Sequence, residues 1–187
     1  MSDPRPERAD AARNRAKVLD AAGELFATRG AANVTMDDIA RAAGVGRGTL
    51  YRRYPDRAAI AIALLDEHER ALQEQLLRGR PPLGPGAEPA ERLAAFYRAS
   101  VELLERHVHL ALGAEVGRSR FATGAYGFWR AHVRSLVVAA AVPGPDALAD
   151  ILLAPLAPDV YDHQRRERRQ TSAQIADALA TLARGVL

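Results

Sequence analysis

The chain has 187 residues, 48% hydrophobic and 26% charged, enough for one compact domain or a small module plus a larger one, and too apolar for global disorder. It contains no cysteine, which excludes a disulfide scaffold, a thiolate zinc site, an iron–sulfur cluster and a cysteine nucleophile. The formal net charge of +3 lies wholly in residues 1–57, which hold 11 basic and 8 acidic side chains against 15 of each in residues 58–187.

A basic N-terminal module on a neutral body points to an anionic partner, nucleic acid first. Of the 26 basic residues 25 are Arg, and Ala fills 39 positions, so a general Ala/Arg preference weakens any single Arg cluster. Position carries more information than number. The longest run free of Asp, Glu, Lys and Arg is Ser135–Pro145, eleven residues, against roughly 20 for a membrane span. The N-terminus has no apolar signal core. A cytoplasmic protein without a membrane segment is expected.

Ala and Leu dominate, and no segment alternates apolar and polar over a strand length, so the expected fold class is all-α with about nine helices. After an arm at residues 1–10, the first helix is predicted over Ala11–Arg29, with Val18, Leu19, Ala22, Leu25 and Phe26 on one stripe and Gly30 beyond its end. Thr35 is placed to cap a second helix, Met36–Ala43, whose first turn carries Asp37 and Asp38. Gly44-Val45-Gly46 then links it to a third, Arg47–Tyr54. Small Ala40 permits a close crossing, Gly44 tolerates positive φ, and Val45 and Leu50 plug the junction, which together read as a helix-turn-helix. Its second helix would present Arg47, Gly48, Thr49, Arg52 and Arg53 to the major groove.

The stretch Val34–Ile60, with Gly48-Thr-Leu-Tyr51, Tyr54 and a basic residue opening a fourth helix, closely resembles the DNA-binding module of TetR-family transcriptional regulators. The resemblance covers about residues 13–65. It implies that Thr35 caps, that Thr49 and Tyr51 contact DNA, that Tyr54 packs beneath the recognition helix, and that Arg57 clamps a phosphate. Gly46 departs from the usual Ser or Thr cap, and Arg53 stands where His is frequent. On the residues alone, Tyr51 as a packing aromatic and the arginines as solvated charges remain open. The glycines at 44, 46 and 48 form no phosphate loop, because no strand precedes them and no Lys-Ser/Thr follows.

The fourth helix is predicted over Asp56–Arg78, followed by the proline-rich link 79–86. Further helices are expected at Pro89–His107, Val108–Arg118, Ala125–Ala141, Asp146–Tyr161 with a kink at Pro155, and from the Thr171/Gln174 capping box to Arg184. The expected organisation is thus arm 1–10, DNA-binding module 11–57, and a ligand-binding and dimerisation domain 58–187. Seven of the ten aromatics lie between Phe96 and Tyr161. Tyr97, Leu104, Trp129 and Val133 are the candidate lining of an effector cavity, with His107 and His132 as polar fixers and with Phe121 and His109 close in sequence. Leu148, Ile151, Leu152 and Leu156, with Ile175, Leu179 and Leu182, are candidates for a four-helix homodimer interface.

The body offers no catalytic signature, no metal site is expected from His107 and His109, and no cofactor is indicated. The resemblance implies a homodimeric regulator of a palindromic double-stranded operator, a repressor released by a small hydrophobic effector. An architectural DNA-binding protein without effector, or a helical small-molecule binding protein, are the alternatives.

Overall fold

The computed structural model describes residues 5–30, 33–114 and 124–187. Every regular element among them is helical. In chain order they are α1 (Arg5–Arg29), α2 (Met36–Ala43), α3 (Arg47–Arg53), α4 (Arg57–Arg78), α5 (Pro89–Ala114), α6 (Gly124–Ala139), α7 (Pro145–Leu153), a 3-10 turn (Ala154–Leu156), α8 (Pro158–Arg166) and α9 (Ser172–Val186). The chain forms two compact units, Met1–Glu67 and His68–Leu187, divided inside α4.

The first unit is built on the stripe read from the sequence. Val18, Leu19 and Ala22 of α1 meet Ile39, Ala40 and Ala43 of α2, Leu50 of α3 and Tyr54. Ile60 and Leu64 join the same cluster, which is why the start of α4 belongs to this unit. α1 begins at Arg5, earlier than Ala11, because Pro6 sits in the first helical turn, where a missing N–H leaves no bond unmade.

In the second unit α5 is the central helix and packs against α6, α8 and α9, while α6 pairs with α7. Leu93, Phe96, Tyr97 and Val101 of α5 meet Val133, Leu136 and Val137 of α6 and Ile175 and Leu179 of α9. The buried Tyr97 hydroxyl donates to the Leu152 carbonyl at 2.8 Å, joining α5 to α7. Glu105 accepts from Arg165 through both carboxylate oxygens, at 2.6 and 2.8 Å, and from the Tyr161 hydroxyl, joining α5 to α8.

Three predicted boundaries change. α5 continues past His107 to Ala114, since nothing there breaks a helix; the rest of the expected Val108–Arg118 helix, from residue 115, lies outside the described residues, as do arm residues 1–4. The expected Asp146–Tyr161 helix is two helices joined by a 3-10 turn, because Pro155 and Pro158 cannot supply the amides a continuous helix needs, and Pro158 instead opens α8. α9 opens on the expected capping box, with Thr171 and Gln174 satisfying each other's backbone amides.

Candidate nucleic-acid interface

The site begins with the cap of α2. Thr35 Oγ1 accepts from the Asp38 amide at 3.1 Å, and Asp38 Oδ2 accepts from the Thr35 amide at 3.1 Å and its hydroxyl at 2.7 Å. These bonds hold the Asp38 carboxyl below its usual range, with Arg29 and Arg41 adding to them. The Thr35 hydroxyl is thus committed to capping. At the other end of α2, Gly44 adopts φ 63° and its amide bonds back to the Ala40 and Arg41 carbonyls. The chain reverses there in one residue, at a conformation where an L side chain is strained.

α3 follows at once. Gly46 occupies its N-cap and gives no side-chain bond, so the Gly46 carbonyl alone receives the Thr49 and Leu50 amides, at 3.0 and 3.1 Å. Leu50 turns into the core, and Tyr54, at 5% exposure, closes the helix from beneath. Tyr51, at 45% exposure, stands on the outer surface, which rules out the packing reading for it. Arg47, Gly48, Thr49, Arg52 and Arg53 are exposed with it. Arg47 Nε lies 2.8 Å from Asp37 Oδ1, an ion pair not aligned as a hydrogen bond. Arg52 reaches only the Thr49 hydroxyl, at 3.5 Å. Neither Arg52 nor Arg53 meets a carboxylate among the described residues.

Arg57 has a second duty that spacing did not reveal. Its Nη1 donates to the Val34 carbonyl at 2.8 Å, tying the start of α4 to the residue before the α2 cap. Asp56 Oδ1 accepts from the Ala59 amide at 2.8 Å and caps α4. An exposed arginine-bearing helix, joined to the preceding helix by the three-residue link Gly44-Val45-Gly46, has the form of a helix-turn-helix nucleic-acid-binding module.

Residues 18–64 match the model of the bacterial regulatory proteins of the tetR family. The HTH-type transcriptional repressor KstR2 of Mycobacterium tuberculosis is 34% identical over 94 residues, which cover 50% of this chain and 45% of that one. Among solved structures, the fatty acid degradation regulator FadR from Bacillus halodurans aligns with a TM-score of 0.63 at 16% identity, covering 91% of this chain and 98% of that one. A SmeT–triclosan complex aligns with a TM-score of 0.60 at 14% identity, covering 92% and 90%. The matched segment spans about half the length of the curated relatives. Residues 18–64 thus match the N-terminal module of the tetR family, and the chain shares the fold of these solved structures.

The effector candidates divide into core and partly open groups. Tyr97, Leu104 and Val133 are core residues. Trp129 and His132 are half-buried against Phe96, with ring centroids 5.7 and 5.4 Å away. His132 Nε2 and Arg92 Nε are buried without a hydrogen-bond partner among the described residues. Burial, and then the Arg92 charge, push His132 down to about 4. His107 is buried and bonds to His68, Nε2 to Nδ1 at 2.6 Å; burial and then His68 push it down to about 4. His68 was not legible as a partner, because the two lie on different helices and no local spacing links them. Phe121 and the His109 side chain lie outside what is described.

The dimer candidates also divide. Leu152, Ile175 and Leu179 are enclosed in the core of their own unit, and Leu148 and Leu156 pack against it. The apolar surface expected to lack an intramolecular claimant is largely claimed, because α5 covers α9 and Tyr97 reaches α7. Ile151, at 62%, and Leu182, at 39%, remain exposed. Val138 of α6, at 52%, joins them, a residue the sequence did not single out.

Proposed function

We propose that the chain is a sequence-specific DNA-binding transcriptional regulator. It acts as a homodimer on a palindromic operator and represses until a small molecule binds within residues 68–187. One observation carries the DNA reading: the outer face of α3 presents Thr49, Tyr51, Arg52 and Arg53 to solvent, and the two arginines meet no carboxylate among the described residues. Thr49 is positioned for base edges and the arginines for phosphates or guanine. Selection from random duplexes tests this. An inverted repeat is expected, and an absence of any sequence preference would remove the reading.

The effector seat is supported by Trp129 and His132 against Phe96, with unpartnered nitrogens on His132 and Arg92. Aromatic walls with a few polar groups suit a hydrophobic molecule bearing a hydrogen-bond acceptor. Trp129 is the chain's one tryptophan, so its emission follows occupancy. An effector must quench or shift it and weaken operator binding by linkage. For the dimer, Ile151 and Leu182 are the exposed anchors. Ile151→Glu with Leu182→Glu is expected to give helical monomers in sedimentation.

A further inference from the structure

Beside the recognition helix lies a cleft of about 430 Å³ between the N-terminal half of α1 and α3, within the size range of small-molecule sites. Ala11, Val18, Val45, Leu50 and the Tyr54 ring form its apolar lining. Tyr54 is 95% buried beneath the cleft, and its hydroxyl, shut off from solvent, has no hydrogen-bond partner among the described residues. Arg15, Arg52 and Arg53 rim the cleft, against the single carboxylate of Asp10, which is engaged by Arg13. Arg15 is partly drawn to Glu67 at 3.2 Å, while Arg52 and Arg53 meet no carboxylate among the described residues.

We infer that this cleft is a binding site for an amphipathic monoanion, with its apolar body on Val18, Val45 and Leu50 and its anionic head at Arg52 and Arg53. Inorganic phosphate lacks the apolar body the lining would bury, and a cationic amphiphile would meet like charge at the rim. Thr49, Arg52 and Arg53 belong both to this lining and to the DNA-facing surface, so ligand and duplex exclude each other directly. That competition rests on the DNA-binding reading; the seat itself does not.

The test uses the full chain with labelled methyl groups, without DNA, titrated with decanoate and observed by NMR at Val18, Val45 and Leu50. Decanoate is expected to shift these methyls saturably, while decyltrimethylammonium and inorganic phosphate leave them unmoved. Arg52→Gln with Arg53→Gln, both exposed and so expected to preserve the thermal midpoint, is expected to weaken decanoate about ten-fold. Ala11→Phe, on the exposed side of α1, fills the cleft and abolishes the shifts. Unmoved methyls with decanoate, equal shifts with the cationic amphiphile or phosphate, or full affinity in Ala11→Phe would each overturn the site. Trp129 emission follows binding in the other unit separately. Failure of the chain to bind any duplex removes the competition and leaves the methyl shifts to decide the seat.

Discussion

The outer face of α3 and the helix junctions of the second unit put arginine to different uses. In residues 68–187 the arginines that tie helix to helix through carboxylates are Arg130 to Asp146 and Asp150, Arg134 to Asp146, Arg165 to Glu105 and Arg184 to Glu91, while Arg80, Arg168 and Arg169 meet no carboxylate among the described residues. On α3 the matching is partial. Arg47 has Asp37, but Arg52 and Arg53 have no acid among the described residues. A charge already paired in the protein gains little from a phosphate, whereas an unpaired, solvated one releases counterions on binding DNA. Lack of pairing combined with a place on the exposed face of α3 supports the proposed interface better than net charge does, because a composition this rich in Arg places basic residues on both units.

The largest way to break the comparison is to remove the scaffold beneath α3. Leu50→Ala opens a cavity in a small core and is expected to cost about 2–5 kcal/mol. Hydrogen exchange should then show amides of α2 and α3 losing protection while α5 and α9 keep theirs. In the other unit, Tyr97→Phe strands the buried Leu152 carbonyl and is expected to cost about 1–3 kcal/mol, with no change in duplex contacts. Urea unfolding measures it.

Charge gives the next contrast. Arg53→Ala should weaken binding to all duplexes and lower the salt slope by about one phosphate. Arg134→Ala, which loses only a surface pair with Asp146, should leave both slope and thermal midpoint unchanged. Equal effects from the two would show that the unpaired arginines have no special role.

Acid sharpens the contrast by acting on the second unit. His107 and His132 are held at about 4 against 6.5, so the folded state keeps them neutral while the unfolded chain takes up protons first. Their contribution is whole above pH 6.5 and declines as pH falls toward 4. Glu105, held at about 2 against 4.5 by its bonds to Arg165, keeps its contribution above pH 4.5 and loses it as pH falls toward 2. Between pH 6.5 and 4.5 the midpoint should therefore drop, and His107→Gln with His132→Gln should flatten that drop. The smallest effect is at Gly48, where an added Cβ meets nothing. Gly48→Ala should stabilise α3 by about 0.5–1 kcal/mol, yet weaken operator binding if DNA approaches the backbone there.

The sequence by itself determined the all-helical class, the helix-turn-helix and which side of α3 is exposed. Those features are written in neighbours: Thr35 with Asp38, Gly44 between two apolar junctions, and Leu50 and Tyr54 four apart with Tyr51 on the opposite side. Local spacing settles them, since a short helix on a glycine turn has few ways to bury its apolar side. Only the tertiary structure decided how the apolar stripes of α7 and α9 are shared. Leu152, Ile175 and Leu179 look available in sequence, but α5 takes them into its own core and leaves Ile151 and Leu182 outside. The bond of Arg57 to Val34 and the pairing of His68 with His107 are likewise contacts between residues far apart in the chain. Periodicity tells which side of a helix is buried. Which neighbour buries it depends on packing across the whole unit, and no local pattern records that.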